Sequence, residues 1–217
     1  MNKPTWIIFE GIDGSGKTTQ AKLLNDYLNR NGVKSSYRHV FDSKAGKLLR
    51  EMFLGNTFSN TVEILMLCAA RQAFLDETRA TEDGEEYDVL IVDRFFLSIL
   101  AMQGNDDADI DLINYIRGSI SRGRDRSIVF HMNTSPENCK SRLVNRTIRD
   151  RIEGKGVEFH RMVFERYLAL LSDEENAYQF DGDADIETVH RTIVDKTMSL
   201  LGITPGPGVR ADRRVLS

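Results

Sequence analysis

Apolar positions along this chain fall into short unbroken runs that alternate with longer stretches of helical spacing. Thr5 to Phe9 is a compact run that predicts a strand. A glycine-rich turn follows, and helical spacing then covers Lys17 to Arg30. Asn31-Gly32 closes that helix, because both residues tolerate the left-handed conformation of a C-cap. Val33 to Val40 predicts a second strand, and two helical stretches cover Ser43 to Phe53 and Thr61 to Thr78. Asp83 to Glu86 breaks the pattern. Tyr87 to Val92 then predicts a strand, unbroken in apolar character from Val89 to Val92, as a strand covered on both faces must be. Arg126 to Met132 predicts another strand, and Asn133-Thr134-Ser135-Pro136-Glu137 supplies a cap and a first-turn proline for a helix. A helix over Val157 to Leu171, a short strand over Ala177 to Phe180 and a helix over Ile186 to Leu201 complete the series.

Strands alternating with helices predict a doubly wound α/β domain, with a mainly parallel five-stranded sheet and helices on both faces. Ligands of such folds bind beyond the C-terminal ends of the strands. We expect one domain over residues 1–202, with a charge-dense flap at about 145–155. Residues 203–217, punctuated by Pro and Gly and then basic at Arg210, Arg213 and Arg214, read as a disordered tail.

Composition narrows the function classes. With 29 basic against 33 acidic residues the chain is mildly acidic, which argues against an overall basic coat for nucleic acid but leaves a local groove open. Cys68 and Cys139 belong to no metal or redox motif, so free thiols in a reducing compartment are expected. Trp6 to Phe9 is too short for the apolar core of a signal peptide, and no run reaches membrane-spanning length. A cytoplasmic location follows, in a host's cytoplasm if the chain is phage-encoded, with no membrane partner.

The most specific chemistry lies directly after the first strand. Gly11-Ile12-Asp13-Gly14-Ser15-Gly16-Lys17-Thr18 matches G-x-x-x-x-G-K-[ST] in full and sits between a strand and a helix, as its mechanism requires. The glycines let backbone N–H groups turn toward phosphate oxygens, and the helix N-terminus, with Thr19 in its first turn, favours the anion. Lys17 would reach the β- and γ-phosphates of ATP, and Thr18 would offer its hydroxyl to Mg²⁺. Asp93, at the end of the central apolar strand, would lie near the metal. Arg94 beside it could hold a second anion. Arg146, Arg149 and Arg151 cluster around Asp150, where a closing flap would stabilise the transferring phosphoryl group and exclude water.

With these motifs in order, residues 1 to about 202 resemble the thymidylate kinases. Phe9-Glu10-Gly11 through Lys17-Thr18-Thr19-Gln20 is similar to that family's phosphate loop, including the acid at Asp13. Asp93-Arg94-Phe95 stands where the family has Asp-Arg-Tyr. Ala69-Ala70-Arg71 resembles a helix whose arginine contacts the acceptor base. Asp150-Arg151-Ile152-Glu153, Phe159 and Arg166-Tyr167 resemble the flap and the helix after it. The resemblance implies an ATP- and Mg²⁺-dependent kinase, often homodimeric, acting on a dTMP-like nucleotide. Gly14 stands where some members carry a catalytic arginine; members without it use flap arginines.

The acceptor side departs from the family pattern. Arg38-His39-Val40-Phe41-Asp42 replaces Arg-Glu-Pro-Gly-Gly, leaving Arg38 as a phosphate contact. Leu67 replaces a stacking aromatic, and Ile99, Leu100 and Met102 stand where base- and sugar-contacting groups are expected. Gln103 remains a candidate base contact, displaced from the usual place. Three readings therefore stay open. In the first, dTMP is the acceptor, with Arg38 and Arg94 on its phosphate and Arg71 on its base. In the second, the acceptor is the 5-hydroxymethyl group of 5-hydroxymethyluracil in DNA, with Asp13 as base and Phe95 or Phe96 stacking on the extruded ring. The third is a non-catalytic nucleotide switch, which would not need Asp93-Arg94 or the arginine flap.

Overall fold

The computed structural model describes residues 4–82, 87–120, 127–144, 151–152 and 154–203. Five strands, β1 (Thr5–Glu10), β2 (Ser35–His39), β3 (Val89–Asp93), β4 (Ser127–Asn133) and β5 (Ala177–Asp181), form one sheet in the order β2-β3-β1-β4-β5. Every pairing is parallel. The sheet is therefore wholly parallel, beyond the mainly parallel arrangement expected. Burial follows position: all five residues of central β3 are buried, whereas edge strand β2 is half-buried throughout.

Alternation along the strands feeds two cores. Ile7, Phe9, Ile91, Phe130 and Met132 face α1 (Lys17–Arg30) and α8 (Ile186–Leu201), meeting Leu24, Leu28, Ile193 and Met198. Trp6, Ile8, Leu90, Val92 and Val129 face the opposite layer, which holds α3 (Asn60–Glu82), α4 (Phe96–Gln103) and α7 (Val157–Leu171). Each large side chain fully buried in this way contributes about 1.5–3 kcal/mol. Local signals set several boundaries. Ser43 caps α2 (Lys44–Gly55) by accepting from Gly46 N at 2.9 Å, and Asp185 caps α8 by accepting from Thr188 N at 2.9 Å.

The sequence reading passes over two helices. In α4 the apolar residues face all directions and nearly every residue is buried, so no amphipathic period exists to reveal it. Helix α5 (Asp107–Ile120) has a readable start in Asp106, whose carboxylate accepts from Asp109 N at 2.9 Å. Helix α6 (Pro136–Val144) begins at the expected proline. Residues 204–217 of the expected tail, and 145–150 and 153 of the expected flap, lie outside the described residues. Among those described, no helix is long and apolar enough to cross a membrane.

Candidate active site

The loop between β1 and α1 turns through positive φ at Gly11, Gly14 and Gly16, a path that side-chain-bearing residues rarely follow. No side chain caps α1, so its first-turn N–H groups face the end of the sheet. Gly14 is required for a second reason: a Cβ there would lie 2.7 Å from the Cys139 carbonyl oxygen. A catalytic arginine in the loop is thus sterically closed off here. Lys17 is 5% exposed and folds back over the loop, with Nζ donating to the Ile12 carbonyl at 2.8 Å and to Ser15 Oγ at 3.5 Å. Burial, reinforced by the nearby Arg94 charge, brings its amine down to about 8.

Next to the cradle, Thr18 Oγ1 donates to Asp93 Oδ2 at 2.5 Å, and Tyr37 OH donates to the same oxygen at 3.2 Å. A hydroxyl and a carboxylate are hard oxygen ligands. Few protein ligands suit Mg²⁺, which keeps several waters and shares phosphate oxygens. Among the described residues no cluster of three or more His, Cys, Asp or Glu offers a dedicated metal cage.

Arg94 follows Asp93 with φ 67°, the sole non-glycine at positive φ among the described residues. Such a backbone costs on the order of 1–3 kcal/mol and persists where surrounding contacts over-determine it. Here its N–H donates to Phe9 O at 2.9 Å, Nη1 donates to Gly11 O at 2.9 Å and Tyr167 OH at 3.4 Å, and Nη2 pairs with Asp13 Oδ1. Glu10 organises the same corner. It is fully buried, and its Oε1 accepts from Phe95 N at 2.7 Å and Ser98 N at 3.4 Å, capping α4 from another strand. Its Oε2 accepts from Tyr167 OH at 2.9 Å. Burial raises the Glu10 pKa despite Arg94 and these donors. Burial would likewise raise Asp13, but Arg94 and Lys17 hold it below the usual carboxylate range.

Asp13, Lys17, Thr18, Asp93 and Arg94 open onto one cavity of about 1050 Å³, large for a single small ligand. One end is walled by the phosphate loop, Arg142 and the stretch from Gly182 to Glu187 after β5. The other is walled by His39, Phe41, Phe53, Leu67, Arg71, Ile99, Met102 and Gln103. Asp93 and Arg94 lie on the wall of this same cavity. The model of the thymidylate kinase family matches residues 9–193. The chain belongs to the thymidylate kinase family. It is 31% identical to the thymidylate kinase of Thermoanaerobacter sp. (strain X514), over 89% of this chain and 97% of that protein. It is 32% identical to the thymidylate kinase of Thermosipho melanesiensis, over 87% and 94%. It is also 31% identical to the probable thymidylate kinase of Thermococcus kodakarensis, over 91% and 98%. The chain is accordingly an ATP-dependent phosphotransferase, and thymidylate kinases as a family use ATP with Mg²⁺.

Placed in this thymidylate kinase fold, the sequence candidates divide. Gly14, Ser15, Gly16, Lys17, Thr18, Thr19, Asp13, Asp93, Arg94, Arg71 and Gln103 all line the cavity. Gln103 is 1% exposed, and its Oε1 is buried without a hydrogen-bond partner among the described residues. Arg71 is 2% exposed and donates to Leu67 O at 3.2 Å, Phe95 O at 3.1 Å and Ser98 Oγ at 3.2 Å. Burial draws its guanidinium down to about 10, so it remains charged near neutrality. Gly11 and Ile12 shape the loop without lining the cavity. Arg38 is a correction. Its guanidinium lies 5.9 Å from the Tyr87 ring and off the cavity wall, because strand alternation gives that wall to its neighbour His39. Phe95 and Phe96 are corrections too. Both are buried in the core, Phe95 against Trp6 and Phe96, and so supply no platform for an extruded base. Leu100 is likewise core, whereas Leu67, Ile99 and Met102 line the cavity.

Arg146 and Arg149 lie outside the described residues. Arg151 is described; it binds Glu63 and does not line the cavity. Sequence reasoning assigned no role to Glu10, Tyr167, His39, Phe41, Arg50, Arg142 or the Gly182–Glu187 stretch. Glu10 carried a signal, an acid ending a strand of otherwise apolar buried residues. The others, apart from the buried Tyr167, meet at the cavity only through tertiary folding.

Proposed function

We propose that this chain transfers the γ-phosphoryl group of ATP to dTMP, giving dTDP and ADP. The observation that carries the reading is the single cavity running from the phosphate loop to an apolar acceptor wall, with Arg94 on its lining. ATP would place its β- and γ-phosphates in the loop, with Lys17 across them. Thr18 and Asp93 would hold Mg²⁺, which when bound neutralises charge between those phosphates. Arg94, kept protonated by Asp13 although burial opposes its charge, would align the acceptor phosphate beside Arg50 of α2. A phosphate oxygen of dTMP attacks the γ-phosphorus, the bond to the β,γ-bridging oxygen breaks, and ADP leaves. That nucleophile is already anionic, so no general base is needed; the protein's work is alignment and charge.

The acceptor base would rest against Phe41, Leu67, Ile99 and Met102, with Gln103 and Arg71 as its polar readers. Arg71 can only donate, which favours a carbonyl-bearing edge such as that of thymine over an amino group. Labelled ATP offered with dTMP should label dTDP. Label appearing only in DNA that contains 5-hydroxymethyluracil, or hydrolysis indifferent to any acceptor, would overturn the assignment.

A homodimer fits the same reading. Leu48 and Met52 on α2 and Val62 and Leu65 on α3 are exposed side chains on two helices packed together, an apolar face that a second copy would cover. Light scattering should give twice the chain mass, and Leu48→Glu with Leu65→Glu should return the monomer. A wild-type monomer at micromolar concentration would refute it.

A further inference from the structure

Arg151 is the one expected flap arginine within the described residues, and the partners of its Nη2 lie away from the phosphate loop. It lies over the Phe53 ring, 4.9 Å from the centroid, and Nη2 donates to Phe53 O at 3.0 Å and Glu63 Oε1 at 2.7 Å. Phe53 closes α2 and Glu63 stands in the first turn of α3. Glu63 is 6% exposed, and Arg151 is its direct ion-pair partner, with the Lys155 charge also nearby. The next residue, Ile152, is 5% exposed and lines the cavity together with Phe53 and Leu54. One side chain thus fastens the chain leading into α7 to the α2–α3 pair, at the acceptor end.

We infer that Arg151 is a positioning residue for the acceptor, which with Glu63 and Phe53 seats Ile152 as part of the apolar wall, rather than a group acting on the transferring phosphate. Its charge is paired with Glu63, and moving it to a phosphate would cost that buried carboxylate its hydrogen-bonded partner and leave it only the nearby Lys155 charge. Electrostatics therefore favours the clamp. The stacked guanidinium also fixes the rotamer of Phe53, itself a wall residue. Loosening the clamp should weaken acceptor binding without altering charge at the phosphate loop. The kinetic part of this inference rests on the dTMP reading above.

The test is a double-mutant cycle in the full chain, using Glu63→Gln, Arg151→Met and the pair, with dTMP and ATP varied separately. Each single change should raise KM for dTMP about tenfold while kcat and KM for ATP move less than about twofold, the pattern of a lost ground-state contact. The double variant should be no worse than the worse single, since both remove one interaction. A kcat loss of about a hundredfold in Arg151→Met with KM for dTMP unchanged would overturn the inference and return Arg151 to the phosphoryl group. Strictly additive effects would overturn it as well. A second readout needs no acceptor: the Lys155 amide, which donates to Ile152 O at 3.1 Å, should exchange with deuterium faster in Glu63→Gln than in wild type. Unchanged exchange sinks the clamp, whereas a wild type inert toward dTMP sinks the acceptor assignment and leaves this measurement standing.

Discussion

Lys17→Ala is expected to lower kcat for dTMP phosphorylation by roughly a thousandfold or more, the scale seen when a preorganised charge is removed from a phosphoryl-transfer site. The lysine is 5% exposed and anchored on the Ile12 carbonyl, so its ammonium stands over the loop before substrate arrives. Stability should move the other way. Folding lowers the Lys17 pKa from its ordinary 10.5 to about 8, which means that burying the charged form costs free energy. That cost is complete below pH 8 and fades as pH rises toward 10.5, where the unfolded chain also releases the proton. Near neutrality the alanine variant should melt no lower than wild type, apart from the unpaired Ile12 carbonyl. Steady-state kinetics and a thermal melt on one preparation check both halves. Retained turnover would refute the cradle assignment.

Arg94→Ala should reduce kcat/KM for dTMP about 100- to 1,000-fold and change KM for ATP less, because its guanidinium would align the acceptor phosphate whereas Lys17 and Thr18 would carry the ATP contacts. Asp13 would lose its main charge partner. Its carboxylate, now buried and less compensated, should titrate higher than in wild type. Tyr167→Phe is the milder companion. It removes the hydroxyl that accepts from Arg94 at 3.4 Å and donates to Glu10 at 2.9 Å, while keeping the buried ring. A drop of about fivefold in kcat, with ATP affinity unchanged, is expected of a group acting through another. An Arg94→Ala enzyme impaired for ATP binding alone would show that the arginine belongs to the donor side.

The phosphate loop was legible because its chemistry is contiguous. Eight successive residues carry the glycines, the lysine and the hydroxyl, and Asp93-Arg94 closes the apolar run Val89 to Val92. The acceptor wall was only partly legible. Leu67, Ile99 and Met102 announced an apolar surface, yet nothing local says that Arg38 faces Tyr87 while His39 faces the cavity. A slip of one residue along a strand exchanges the two faces, and the strand's start could be placed only approximately from sequence.

The order of the five strands, the position of the phosphate cradle and the family were set by sequence alone, since each depends on local period or contiguous motif, whereas α4 and α5 were not. Folding decided which distant groups share a corner. Glu10 and Tyr167 meet 157 positions apart to hold Arg94, and Arg151 reaches back 88 positions to Glu63. Burial makes such partners decisive, because a charge removed from water must find its counterion nearby, and the one-dimensional pattern does not say which opposite charge will be there.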